Sequence, residues 1–186
     1  SNTHNADIIE LKKLLSSSNL AATENMAVQT VLVHKYQQLK QWDICLNYCQ
    51  AQVALAHQQN NTLAEATFYK LIGGTYYYIP QKENAIAYWK KCIEIAEPNE
   101  YNALLAQCYH NVGVISFEGT DYRLAEKYFI KAIDLRKQNN DTASSTFSLH
   151  YRLLATTYDA ENMLDKAEVI FKDIIAKTRA AKDSAN

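Results

Sequence analysis

The most constraining feature of this 186-residue sequence is that it resembles itself at a spacing of 40 to 42 residues. Small residues recur at one position of the pattern: Gly73, Gly113 and Ala155. Other positions recur as matched sets: Tyr69, Tyr109 and Tyr151; Ala85, Ala125 and Ala167; Trp89, Phe129 and Phe171. A fixed period of this length is typical of arrays in which each repeat buries its apolar face on its neighbour.

Each repeat has the pattern of two helices. In the third repeat, Tyr109, Val112 and Phe117 lie on one helical face, and Ala125 and Phe129 share a face further along. Four Gly and two Pro in the whole chain favour long helices over a sheet with many turns. The pattern predicts helices near residues 6–17, 21–39, 42–58, 62–78, 82–97, 100–118, 121–138, 142–160 and 163–181.

Turn and capping residues separate these helices. Gly119 is suited to the C′ position after a helix, and Thr120 or Asp121 to the N-cap of the next one. Thr62 and Glu65 have the spacing of a capping box before an apolar run.

The sequence therefore predicts an all-α fold, a right-handed α-solenoid of antiparallel helix pairs with about nine helices. We expect residues 1–20 to hold a remnant of tag cleavage, Ser1-Asn2, followed by an amphipathic helix. Four helix pairs are expected over residues 21–181, in repeats near 26–59, 66–99, 106–139 and 148–181, and residues 182–186 would be a tail.

The recurring small residues have a packing explanation. Two helices that lie 8–10 Å apart need short side chains where they approach most closely. Gly73 and Gly113 would provide this on the first helix of a pair, and larger residues such as Trp89, Phe129 and Phe171 would fill the layer between pairs.

The family is indicated by the third repeat, which reads Tyr109-x2-Val112-Gly113-x8-Tyr122-x2-Ala125-x3-Phe129-x2-Ala132. This spacing closely resembles the tetratricopeptide repeat, and the resemblance extends over about residues 26–181. The period of 40 to 42 exceeds the usual 34 of that family and resembles the long repeats of kinesin light chains and many bacterial signalling proteins. The first repeat departs from the pattern, with Val33, Cys45 and Cys49 where Gly, Ala and an aromatic residue are expected.

The resemblance implies a concave groove lined by the first helix of each pair. By register, the groove residues would be His34, Gln37, Lys70, Tyr77, His110, Asn111, Phe117, Arg152, Thr156 and Asp159. Lys70, His110 and Arg152 occupy equivalent positions and would form a ladder of donors for carboxylates or backbone carbonyls of an extended peptide. We expect His110 to gain charge near pH 6. The alternative is that these side chains form an ordinary solvated face.

Other kinds of site have weaker support. Cys45-x3-Cys49 with His57 could be metal ligands at helical spacing, but these cysteines occupy core positions of the repeat, which favours packing. No spacing supports a catalytic triad, and we predict no enzymatic activity, no cofactor and no metal. A net charge of −1 and the absence of a long apolar run predict neither nucleic-acid binding nor a membrane segment.

The predicted function is a scaffold whose groove binds a protein or peptide, and the donor ladder would suit a partner that is acidic or ends in a free carboxylate. The alternative is a sensor or oligomerisation segment of a larger bacterial signal-transduction protein, such as a histidine kinase or a transcription regulator. Ile170, Ile174 and Ile175 predict an apolar face on the last helix that would meet a further repeat or a second copy. No cysteine spacing demands a disulfide, which favours a cytoplasmic location, and an exported sensor region stays open because the N-terminus looks trimmed.

Overall fold

The computed structural model describes residues 2–17, 20–139 and 145–183, and these form nine α-helices without a strand. The helices are α1 (Asn2–Ser16), α2 (Ala22–Gln38), α3 (Trp42–Gln58), α4 (Thr62–Tyr78), α5 (Lys82–Ala96), α6 (Asn102–Glu118), α7 (Tyr122–Gln138), α8 (Ser145–Ala160) and α9 (Leu164–Asp183). The predicted all-α fold of helix pairs is confirmed. The last helix continues into the predicted tail, and the N-terminal helix begins at Asn2 rather than near residue 6.

The chain divides into two compact parts, an N-terminal part of Ser1–Ile95 and a C-terminal part of Ala96–Asn186. In the N-terminal part, α2 packs against α1, α3 and α4, and α3 packs against α4. Asp7 ties α1 to α2 through an ion pair of 2.8 Å with Lys35. The core combines apolar residues from these four helices: Ile8, Leu32, Val33, Tyr36, Cys45, Cys49, Phe68, Leu71 and Ile72.

The C-terminal part repeats this arrangement with α6 on α7, α7 on α8 and α8 on α9. Its core lies between α7, α8 and α9 and contains Ala125, Phe129, Ile133, Leu154, Tyr158 and Ala167. Tyr158 extends from the core to donate a hydrogen bond of 2.8 Å to Glu126.

One kind of turn joins most of the helices and explains the period of the sequence. After α6, the amide of Thr120 donates to the carbonyl of Phe117, and the amide of Asp121 donates to the carbonyl of Ser116. These two bonds define a Schellman motif, in which Thr120 is the C′ residue with a φ of 63°. Helices of 17 residues joined by such three-residue turns repeat every 20 residues, so a pair repeats every 40.

The structure corrects two predicted caps. Gly119 has a φ of −85° and is the C-cap, so the left-handed C′ position belongs to Thr120 and not to the glycine. Asn61, rather than Thr62, caps α4, because its side chain accepts the amide of Ala64 at 3.1 Å. The prediction for α7 is confirmed, since the Asp121 side chain accepts the amide of Leu124.

Close helix approach at the recurring glycines is confirmed. A Cβ atom added to Gly73 would lie 2.5 Å from Cδ1 of Trp89, and one added to Gly113 would lie 2.7 Å from Cε1 of Phe129. Both rings are fully buried, so each glycine leaves the space that its partner ring occupies.

Phe171, which the sequence places with Trp89 and Phe129 in the layer between helix pairs, is less buried than predicted. Phe171 is 40% exposed, whereas Phe129 is 0% exposed at the equivalent position. The reason is that α8 covers α7, while no described helix covers the corresponding face of α9.

The four cysteines are buried thiols without disulfide bonds. Cys45 and Cys49 belong to the core of the N-terminal part, as the packing interpretation predicts. The Cys45 Sγ atom lies 3.4 Å from Oγ1 of Thr75. Within the described ranges, no group of three or more potential ligand side chains could hold a metal ion.

Candidate functional site

A groove in the N-terminal part collects polar and aromatic side chains at the ends of α2 and α4. It has a volume of about 410 Å³. Its walls come from the last turn of α2, the turn that follows, the start of α3 and the last residue of α4: His34, Gln37, Gln38, Lys40, Trp42 and Tyr78.

Two aromatic rings form the apolar surface of this groove. Trp42 and Tyr78 stack with their ring centroids 6.4 Å apart and an angle of 18° between the ring planes. Tyr78 is 60% exposed, which is unusual for a large side chain that already has a stacking partner. Aromatic rings that stay accessible are the side chains that most often anchor a bound partner.

Polar groups on α2 complete the wall. The His34 ring nitrogen Nδ1 lies 2.9 Å from Oε1 of Gln37. The Gln37 amide nitrogen donates to the Thr75 hydroxyl at 3.0 Å, which fixes the amide between α2 and α4. Among the described lining residues there is one lysine, Lys40, and no carboxylate, so the groove favours an acidic or neutral ligand.

The other predicted residues of the N-terminal part lie further along α4. Tyr77 contacts the rings of Tyr78 and Trp89 at centroid distances of 6.1 and 6.2 Å. Lys70 is half-buried, and its backbone carbonyl accepts the indole N–H of Trp89 at 3.1 Å.

In the C-terminal part, His110 is half-buried beside a second histidine. The rings of His110 and His150 meet edge to face with centroids 4.4 Å apart. Burial, followed by the nearby His150 and Arg136, lowers the pKa of His110 to about 4. The expectation that His110 gains charge near pH 6 was therefore wrong, because the ring is desolvated next to other cationic groups. Asn111, the next residue, is half-buried.

The remaining predicted residues lie on α6 and α8. Phe117 packs against the ring of Tyr122 at a centroid distance of 5.5 Å. The hydroxyl of Thr156 donates to the Arg152 carbonyl at 2.9 Å, which is a local bond within the helix. The side chains of Arg152 and Asp159 are exposed.

The structure brings together two of the ten predicted residues, His34 and Gln37, in one groove. Lys70 belongs to the N-terminal part, and His110 and Arg152 to the C-terminal part, so the donor ladder across three repeats stays a prediction. Sequence reasoning missed Trp42 and Tyr78. Trp42 begins α3 and Tyr78 ends α4, so each lies beside a turn. An aromatic residue at a helix end, outside the apolar positions of the repeat, was the sequence signal that could have identified them.

Within the part of the chain that the structure describes, no helix is long and apolar enough to cross a membrane.

Comparisons with known proteins agree on the type of fold. Residues 106–139 match the tetratricopeptide repeat. No curated protein matches the chain.

Three crystal structures illustrate the likeness. Aspartyl phosphate phosphatase F from Bacillus subtilis is 16% identical with a TM-score of 0.77, over 97% of this chain and 50% of that one. BtubC (BKLC) from P. vanneervenii is 16% identical with a TM-score of 0.75, over 97% of this chain and 76% of that one. The nearly identical TPR-like repeats of a Podosopora anserina kinesin light chain are 12% identical with a TM-score of 0.69, over 98% and 90%.

The matched repeat, the paired helices and the structural likeness point to one conclusion. Residues 106–139 form a tetratricopeptide repeat, and the described helix pairs have the fold of helical proteins with TPR-like repeats, at a sequence period of 40 to 42 residues.

Proposed function

We propose that this chain is a non-enzymatic scaffold that binds an extended segment of a partner protein. The observation that carries the proposal is the groove of the N-terminal part, where the half-buried Trp42 ring and the exposed Tyr78 ring stack beside His34, Gln38 and Lys40. Rings of this kind supply apolar contact area, and the polar neighbours supply orientation.

The chemistry of the groove defines the ligand. A single lysine and two glutamines provide donors without a carboxylate among the lining residues. An acidic peptide with one apolar or aromatic residue would place that residue on the ring pair and a carboxylate near Lys40. Two or three charge-assisted hydrogen bonds plus such an anchor correspond to micromolar affinity, about −8 kcal/mol.

The test is a peptide-library screen followed by calorimetric titration of the selected peptides, which measures every variant by the same signal. We expect Trp42→Ala and Tyr78→Ala to weaken binding at least tenfold, and Lys40→Glu to weaken it for acidic peptides and to reduce its salt dependence. Ile44→Ala, an exposed change next to the groove in sequence but outside it, is the matched control. Equal affinities for all four variants and the unchanged protein would exclude this groove.

The predicted ladder extends the same proposal to other first helices. Lys70 and Arg152 would each hold a carboxylate, and Arg152→Ala should weaken binding more than Lys70→Ala because the guanidinium group binds bidentately. The double variant Lys70→Glu/Arg152→Glu should select different peptides from the library. If it selects the same peptides with the same affinity, only the Trp42 groove remains as the site.

A second function is favoured by the exposed face of α9, which fits the alternative of an oligomerisation segment in a larger signalling protein. Ile175 is 50% exposed, while Ile133 is 3% exposed at the equivalent position of α7. Leu164 and Phe171 lie on the same face of the helix and are also exposed. We propose that this face of α9 pairs with α9 of a second copy.

A further inference from the structure

A second cavity of the N-terminal part lies away from the groove, between the start of α2 and the end of α3. Its volume is about 760 Å³, which is within the usual range of ligand sites. The floor is apolar and includes Leu32, Tyr48 and Phe68, and the walls include the amide side chains of Gln29 and Gln52.

The repeat register explains why this space is open. Tyrosine stands at the equivalent position of the later repeats, and Gln29 takes its place in the first repeat. In the second repeat, Tyr69 packs on Tyr88 with centroids 6.1 Å apart, and in the third, Tyr109 packs on Tyr128 at 5.7 Å.

The first repeat has one ring of that pair and lacks the other. Tyr48 is the equivalent of Tyr88, and its ring is half-buried against Tyr36 and Phe68. Where the second ring would lie, Gln29 donates a hydrogen bond of 3.1 Å to Gln52. A glutamine side chain is thinner than a phenol ring, so the change from Tyr to Gln leaves unfilled volume beside Tyr48.

The amides give this space a chemical preference. The Gln29–Gln52 bond uses one donor of the first amide and the oxygen of the second, and an amide group has a further donor and acceptor capacity. Among the described residues that line the cavity, Lys12 is the only charged one. A ligand with a large charged surface would therefore find few partners, whereas a flat ring with one hydroxyl or N–H would find both stacking and hydrogen bonds.

We propose that this cavity binds a planar aromatic ring with one polar substituent, which takes the position that tyrosine fills in the other repeats. The ring packs on Tyr48 and Phe68, and its hydroxyl or N–H group exchanges hydrogen bonds with Gln29 and Gln52. This site is separate from the Trp42 groove and does not depend on the proposed peptide binding.

Methionine labelling tests the proposal directly. The chain has two methionines, Met26 at the cavity and Met163 in the C-terminal part, so ¹³C-methyl spectra give one reporter and one internal reference. Titration with p-cresol should shift the Met26 signal in a saturable manner and leave the Met163 signal in place. Cyclohexanol, a ring of similar size without aromatic character, should bind at least fivefold more weakly.

Two substitutions decide whether the ring position is the right one. Gln29→Tyr restores the ring of the other repeats, so it should raise Tm and abolish the p-cresol shift of Met26. Gln50→Tyr is the matched control, because Gln50 is exposed on α3 outside the cavity, and it should leave the shift intact. The proposal is overturned if p-cresol does not shift Met26, or if the shift persists unchanged in Gln29→Tyr.

A comparison of probes identifies the source of the ring. N-acetyl-tyrosinamide carries the same phenol on a peptide backbone. Binding at least tenfold tighter than that of p-cresol would assign the site to a tyrosine of a partner polypeptide, and equal or weaker binding would assign it to a free small molecule.

Discussion

At the residue scale, two adjacent glycines in α4 differ in the space that surrounds them. A Cβ on Gly73 would lie 2.5 Å from the buried Trp89 ring and 3.0 Å from the Ala85 carbonyl oxygen, whereas one on Gly74 would have its nearest neighbour, Gln37, at 3.9 Å. We expect Gly73→Ala to lower the free energy of unfolding by about 1–3 kcal/mol through overpacking. Gly74→Ala should raise it by up to about 1 kcal/mol, because alanine favours the helix.

Urea denaturation of the two single variants measures both effects. Gly74→Ala serves as the control for Gly73→Ala, since the substitution and the helix are the same and only the packing differs. A similar change in both variants would contradict the close approach of α4 and α5.

The buried histidine pair of the C-terminal part makes stability depend on pH. The pKa of His110 is about 4 in the folded protein and near 6.5 when the ring is solvated, so the unfolded chain binds more protons between these values. Stability should therefore fall as the pH decreases from 6.5 to 4, by up to about 3 kcal/mol from this group. His150 and Arg136 strengthen the effect, because a charge on His110 would lie beside both.

Thermal unfolding at pH 7.5 and at pH 4.5 tests this dependence. We expect His110→Gln to reduce the loss of Tm between the two pH values. His57→Gln, a change at an exposed histidine, should leave the loss as it is in the unchanged protein. If His110→Gln shows the full loss, another group controls the acid sensitivity.

At the scale of elements, the Schellman turns place residues other than glycine in left-handed backbone. Thr120 is β-branched and has a φ of 63°, and Asn60 has a φ of 54° at the equivalent position of another turn. Left-handed backbone costs an L-residue about 1–2 kcal/mol, and asparagine tolerates it better than threonine.

We therefore expect Thr120→Gly to raise the free energy of unfolding by about 1 kcal/mol. Asn60→Gly is the comparison, and its gain should be smaller because asparagine already tolerates this conformation. Chemical denaturation gives both values, and a loss of stability in Thr120→Gly would mean that the threonine side chain makes a contact that outweighs the strain.

For the whole molecule, the exposed face of α9 predicts self-association. Substitution of Ile175 or Phe171 with glutamate would place a charge in an interface between two copies, so the dimer should dissociate. Sedimentation velocity over a hundredfold range of concentration measures this. Ile44→Glu is the control, since Ile44 is exposed to the same extent as Ile175 but lies on α3.

A dimer that Ile175→Glu and Ile44→Glu weaken equally would rule out α9 as the interface. An unchanged protein that stays monomeric at every concentration would rule out self-association through this face.

The sequence by itself determined the helices and their pairing. Every repeat carries its apolar residues at helical spacing, and the recurrence of Gly73 at Gly113 marks where two helices approach. These features depend on local periodicity and on matching positions, which are visible without coordinates. The buried cysteines followed from the same register, because Cys45 and Cys49 stand where the repeat places core residues.

Only the tertiary structure decided which side chains share a groove or a cavity, and how each is solvated. Trp42 and Tyr78 are 36 residues apart in sequence, and their stacking depends on how α2, α3 and α4 pack. His110 has the register of a solvated donor, yet burial, together with His150 from another helix, lowers its pKa below the range that the sequence predicted. The burial of a side chain depends on which surfaces the neighbouring helix covers. A periodic pattern shows which face of a helix packs, but it does not show which residues of the neighbouring helix contact that face.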